Sequence, residues 1–262
     1  NLNEILIYCN NYLALCKKYF VWDAMINIYY PTMGIVNYLL GNQTEKNLLY
    51  YDGRTELEHV EIVEKLGSKS PLAQFYGILI TKSFIFGKYS EILKTGELLE
   101  KNTAAPTVFH DICPNFYRCV AYILLFNSLT QEEKNIYNEK INKLKNDFAT
   151  FSKLNPTNFL HMYLLILAVE NFQNNNQWEA MKYFDESITS ALENGYIQNA
   201  AIAYEIAGNF YRQNAFLKIA ETYFFEAYKL FKVWGASLKV KTMEKEFPSF
   251  QFSKNTNLNL TN

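Results

Sequence analysis

Glycine and proline are scarce in this chain of 262 residues, at 10 and 6. That scarcity argues against turn-rich β architecture and for long helices. Cysteine is scarce too. Cys9, Cys16, Cys113 and Cys119 are too few to staple a chain of this length, so they read as four buried thiols in a reducing cytoplasm. Neither sign of charge dominates, with 25 Lys and Arg against 26 Asp and Glu. Without a dense basic stripe there is no footprint for a nucleic acid. No apolar run reaches the roughly 18 residues of a membrane span, the longest being Met162 to Val169, and no signal peptide opens the chain. No Gly-rich phosphate loop is present. What the chain has instead is apolar bulk, 49% of its residues, and 20 each of Tyr and Phe, which suit aromatic knobs packed between helices.

The apolar spacing is helical nearly throughout. It predicts helices over Asn3–Tyr19, Val21–Leu40 with a break at Pro31, and Thr55–Leu66 ended by Gly67. Further helices are expected from the Ser70-Pro71 start to Phe86, over Lys88–Lys101, and from Thr103 to Asn127 with a kink at Pro114. Thr130 with Glu133 forms a capping box opening a helix to Phe151, and Asn155-Pro156 caps the next. Helices then follow at 157–173, 177–194, 196–213, 215–234 and Ala236–Phe247. Their loops are so short that neighbours must run antiparallel. One helical domain over 1–252 is expected, with a polar linker or tail at 253–262. A start at Asn1 rather than Met suggests an excised segment.

An internal repeat decides the fold class. Ala180, Tyr183, Phe184, Glu186, Ser187 and Gly195 recur forty residues later as Ala220, Tyr223, Phe224, Glu226, Ala227 and Gly235. Tyr204, Ala207, Gly208 and Tyr211, followed by Ala220, Phe224 and Ala227, keep the tetratricopeptide order of small and aromatic residues. Small residues let paired helices approach, aromatics fill the gap to the next hairpin, and a lone hairpin cannot bury this face. The expectation is all-α, a tetratricopeptide-like right-handed solenoid of antiparallel helix hairpins.

Chemistry is hard to find. His110, Cys113 and Cys119 offer an H-x2-C-x5-C spacing that lacks a fourth zinc ligand. No nucleophile and base are brought together by local sequence. No catalytic residue, cofactor or metal is therefore assigned to the chain, and it reads as a non-enzyme.

Several segments resemble a known family. Asn158-Phe-Leu-His-Met-Tyr-Leu-Leu, Glu193-Asn-Gly-Tyr-Ile-Gln, Ala220-Glu-Thr-Tyr-Phe-Phe-Glu-Ala-Tyr, Trp234-Gly-Ala-Ser-Leu-Lys-Val and Met243-Glu-Lys-Glu-Phe-Pro are similar to the helical region of large multi-domain sensor kinases. The likeness is dense from Asn155 to Pro248 and looser back to Asn3. In that family a Ser/Thr-kinase-like domain and an ATPase module precede the helical region, and GAF and histidine-kinase domains often follow. The resemblance implies a cytoplasmic, non-catalytic segment for protein–protein interaction and signal coupling. Its partners would be neighbouring domains or another protein, with no nucleic acid and no membrane. It leaves the oligomeric state open. A free-standing peptide-binding scaffold, such as a secreted bacterial effector, is the second reading. On the tetratricopeptide pattern the concave face would carry Met162, Leu165, Val169 and Phe172, then Ile202, Glu205, Asn209 and Arg212. The contact set expected from these is Leu165, Phe172, Glu205, Asn209 and Arg212. The apolar bias of the group also fits residues that face a neighbouring helix.

Overall fold

The computed structural model describes residues 1–21, 29–42, 55–65, 67, 69–103 and 112–250. Among the described residues there are twelve α-helices and no strand, so the chain is all-α as its spacing predicts. Contacts cluster in two compact units, Asn1–Phe148 and Ala149–Asn262, where the sequence suggests one helical domain over 1–252. The polar stretch 253–262 lies outside the described residues.

In the first unit, α1 (Leu2–Lys18) packs on α2 (Tyr30–Leu40) through Leu2, Cys9 and Leu13. Pro31 stands in the first turn of α2, where its missing N–H leaves nothing unpaired. The expected helix before it falls largely on residues 22–28, outside the described set. The third helix, α3 (Glu56–Lys65), opens on a reciprocal cap. Thr55 N donates to Glu58 Oε2 at 2.7 Å and Glu58 N to Thr55 Oγ1 at 3.3 Å.

Next come α4 (Lys69–Ile85), α5 (Tyr89–Asn102) and α6 (Ile112–Leu125). The helix expected to open at Pro71 behind a Ser70 cap already includes Lys69 and Ser70. The helix expected from Thr103 falls in part on residues 104–111, outside the described set; in the described part, α6, Pro114 is the third residue. Gly96 of α5 is needed for a close approach to α6: a Cβ there would overlap the hydroxyl of fully buried Tyr122. The predicted capping box holds at Thr130 and Glu133, and its helix α7 runs on to Leu154, three residues past Phe151.

The second unit contains α8 (Pro156–Gln173), α9 (Gln177–Glu193), α10 (Ile197–Gln213), α11 (Leu217–Trp234) and α12 (Ser237–Glu246). Asn155 caps α8, its side chain accepting from Asn158 N. Helices α8 and α9 form one tight hairpin and α10 and α11 another; α9 packs on α10, and α12 on α11. Ala180, Ala203, Ala207, Ala220 and Ala227 are buried among Phe184, Phe210, Phe224 and Phe231. Each buried Phe contributes about 2–3 kcal/mol. Small residues bring the backbones close and rings fill what remains.

The four turns of this unit share one construction. Asn175, Gly195, Ala215 and Gly235 all take positive φ, at 60, 77, 63 and 96°. After each, an N–H reaches back across the turn. Asn176 N donates to Asn171 O, Tyr196 N to Ala191 O, Phe216 N to Tyr211 O and Ala236 N to Phe231 O, all at 2.8–2.9 Å. These are Schellman closures, which satisfy orphan carbonyls at a helix end. The forty-residue repeat is thus two twenty-residue half-repeats with the same turn.

Candidate interaction surfaces

The segments that begin at Asn158 and Glu193 meet in space. His161 of α8, 1% exposed, stacks on Tyr196 with ring centroids 4.5 Å apart. Its Nε2 lies 2.6 Å from Asn199 Nδ2, and its backbone carbonyl accepts from Ser187 Oγ at 2.7 Å. Tyr196 Oη donates to Asn158 Oδ1 at 2.6 Å. Helices α8, α9 and α10 are joined through this polar cluster. The spacing Asn158-x2-His161 places both on one helical face, a signal available in the sequence and missed there.

His161 Nδ1 has no hydrogen-bond partner. Burial pushes the imidazole pKa down to about 4, from an ordinary value of 6.5. Above pH 6.5 both folded and unfolded chains hold the ring neutral, and the group has no effect on stability. Between 6.5 and 4 only the unfolded chain takes the proton, so stability falls with pH. Below 4 the loss is complete, at roughly 3 kcal/mol. His161→Gln is expected to flatten this part of the profile, read as the urea midpoint from pH 7 to pH 4. A profile as steep as that of the natural chain would refute the assignment.

The expected contact residues are placed very differently from one another. Leu165 is core, 1% exposed, as are Met162, Val169 and Ile202; they face helices and offer nothing to a partner. Phe172 is half-buried against Phe210, edge to face at 5.2 Å. Glu205 is bound within the chain, its Oε1 2.6 Å from Nζ of Lys239, which is itself buried on α12. Burial pushes the Glu205 carboxyl up, and the Lys239 ammonium pulls against that without cancelling it. Asn209 accepts from Arg212 Nη2 at 2.9 Å. Arg212 is exposed, yet its guanidinium lies 5.5 Å from the Phe247 ring centroid and 6.0 Å from that of Phe224. Phe247 and Phe250 stack face to face and close over Phe224. Much of the face expected to receive a peptide is therefore engaged within the chain, Glu205 and Arg212 by α12 and the residues after it.

An open groove in this unit lies elsewhere. A groove of about 610 Å³ runs between α8 and α9, with Pro156, Leu160 and Leu164 on one wall and Asp185, Glu186 and Glu193 on the other. In the first unit a charged cavity of about 500 Å³ is lined by Glu100, Arg118, Lys140 and Lys143. Buried Arg118 pairs with Glu100, which also accepts from Lys140 Nζ at 2.7 Å. The flanking ammonium and guanidinium groups overcome burial and hold the Glu100 carboxyl below its ordinary range. Arg118 also donates to Asn115 and to Tyr122 Oη, and with Glu139 and Asp147 in the lining the acidic and basic groups of the cavity balance.

His110 lies outside the described residues. Cys119 is buried, with Sγ 4.0 Å from the Ile141 carbonyl, and Cys113 is exposed. None of the four thiols is in a disulfide, but only Cys9 and Cys119 are buried, which corrects the expectation that all four would be. Among the described residues no group of three His, Cys, Asp or Glu could hold a metal ion, and no helix is long and apolar enough to cross a membrane. The chain matches no family model, no curated protein and no solved structure.

Proposed function

We propose that this chain is a non-catalytic scaffold for protein–protein contacts, acting as a coupling segment in a larger multi-domain signalling protein of the sensor-kinase kind. In this reading the second unit is a tetratricopeptide-like right-handed solenoid. The repeated hairpins, the shared turn and the Gly208–Phe224 approach support it. One observation carries the choice between coupling and peptide capture. The inward-facing residues are occupied by the chain itself, through Glu205 with Lys239 and Arg212 with Phe247. A stack closed in this way transmits force through packed neighbours, and its partner docks on the open α8–α9 groove.

The test is a pair of double variants in a pull-down from lysate, each checked by its melting curve. Leu160→Glu with Leu164→Glu is expected to lose the partners of the natural chain. Phe172→Ala with Arg212→Ala is expected to keep them. The reverse pattern would reject coupling and favour the peptide-binding scaffold.

A further inference from the structure

Helix α1 has two apolar seams, one buried and one largely exposed, the latter touched within the chain where Tyr12 stacks by one face on Tyr29 with ring centroids 5.9 Å apart. Leu2, Cys9 and Leu13 are buried. A second stripe, Ile5, Tyr8, Tyr12, Leu15 and Tyr19, is exposed by 39, 63, 52, 49 and 65%. Its spacing is 3-4-3-4, the a/d rhythm of a coiled-coil seam. Single exposed apolar residues need no explanation, but four in heptad register on one helix, with Tyr19 continuing the rhythm at its C-cap, do.

We infer that α1 pairs with α1 of a second copy of this chain as a short antiparallel coiled coil. Setting Ile5 opposite the other copy's Leu15 places Tyr8 opposite Tyr12 and, by symmetry, generates the same two layers again. That register fixes the flanking residues. Glu4 and Lys18 occupy equivalent positions beside the seam, at opposite ends of the helix. Antiparallel pairing brings Glu4 of each copy beside Lys18 of the other, forming two ion pairs, and places Asn11 against Asn11 on the two-fold axis. Both charges are exposed; in the single chain Glu4 lies 3.6 Å from the Asn1 amine and the Lys18 ammonium 5.4 Å from the Tyr19 ring centroid, surface contacts that pairing would exchange for the two ion pairs.

A parallel pair is disfavoured by the same residues. It would set Glu4 beside Cys9, which has no charge to offer, and bring Lys17 and Lys18 of both copies to one end. The helix dipoles favour the antiparallel arrangement as well. Tyrosine suits the central layers, because its ring fills the seam while its hydroxyl reaches water at the rim. The seam is self-complementary in shape and charge, as a two-fold contact requires.

The test is sedimentation equilibrium on the full chain. The natural chain is expected to form a concentration-dependent dimer. Tyr8→Asp puts a carboxylate into two layers and should weaken the dimer about a hundredfold or more. Tyr8 is exposed in the single chain, so the melting temperature of the diluted monomer should not move. Glu4→Lys and Lys18→Glu should each weaken the dimer by roughly tenfold, since two attractive pairs become repulsive. Mixed one to one, these two variants should restore a dimer as tight as that of the natural chain, because every Lys then meets a Glu.

A monomer at all concentrations would overturn the inference. A dimer indifferent to Tyr8→Asp would place the contact elsewhere on the chain. A dimer whose charge variants fail to complement one another would exclude the antiparallel register. A monomer that floats with anionic phospholipid vesicles would make the seam a lipid contact instead.

Discussion

Gly208→Leu is expected to lower stability by about 3 kcal/mol, the upper end for an overpacked site. A Cβ added at Gly208 would lie 3.1 Å from two carbons of the Phe224 ring, tighter than ordinary contact. The remaining three carbons of a leucine would have to enter the space the ring fills. Phe224 has no room for a shift that large: it is fully buried and packed against Phe247 at 4.4 Å and Phe250 at 5.8 Å. Leucine is the better helix former by under 1 kcal/mol, which does not offset the clash. Gly208→Ala should cost about 1 kcal/mol, because the ring need move only a few tenths of an ångström. Melting curves of the two variants check the ranking. Equal melting temperatures for Leu and Gly at this position would mean that α10 and α11 do not meet there.

Lys239→Met is expected to be at least as damaging, at about 3–5 kcal/mol. The substitution keeps the length of the side chain and removes the charge that faces Glu205. Glu205 is then left with a carboxylate in an environment that already pushes its pKa up. The deficit should depend on pH with a definite sign. Glu205 is protonated more readily in the folded chain than in the unfolded one. The loss is therefore full above the folded pKa and fades as pH falls through it, once a neutral carboxyl replaces the stranded charge. Glu205→Gln added to Lys239→Met should recover most of the stability, because removing both charges is nearly neutral where removing one is not. Urea denaturation at pH 8 and pH 5 measures both effects. A single variant as stable as the natural chain at pH 8 would show that the pair is not formed.

These two sites differ in how far the sequence discloses them. The approach at Gly208 was legible, because a glycine between aromatics at tetratricopeptide spacing has a packing meaning on its own. The helix starts at Thr130 and Asn155 were legible for a similar reason: the capping group and the backbone it serves are three residues apart. Glu205 was not. Its partner is 34 residues away on the last helix, so local spacing shows only a polar residue on a helix face. Leu165 fits a groove and a core equally well until the neighbouring helix is in place. The turn at Gly195 is visible in the sequence, whereas the equivalent turn at Ala215 holds an L-residue at a φ of 63°, which nothing in its identity suggests. The α1 seam had the right rhythm in the sequence, but rhythm alone cannot tell a buried seam from a free one.

The equal spacing of the four left-handed turns also limits how this unit can change in length. Each helix residue advances the chain by about 100° around its axis. One residue inserted within α10 would therefore swing everything after it out of phase. Gly208, Phe210 and Tyr211 would lose the neighbours their sizes are matched to. Forty residues removed or duplicated between Asn175 and Ala215, or between Gly195 and Gly235, leave every later side chain on its original face. The unit therefore has a natural quantum of growth, a whole hairpin. Its register is carried by backbone geometry at the joints, so lineages of this architecture can lengthen or shorten by recombination at the turns while single-residue slips within the helices are removed by selection.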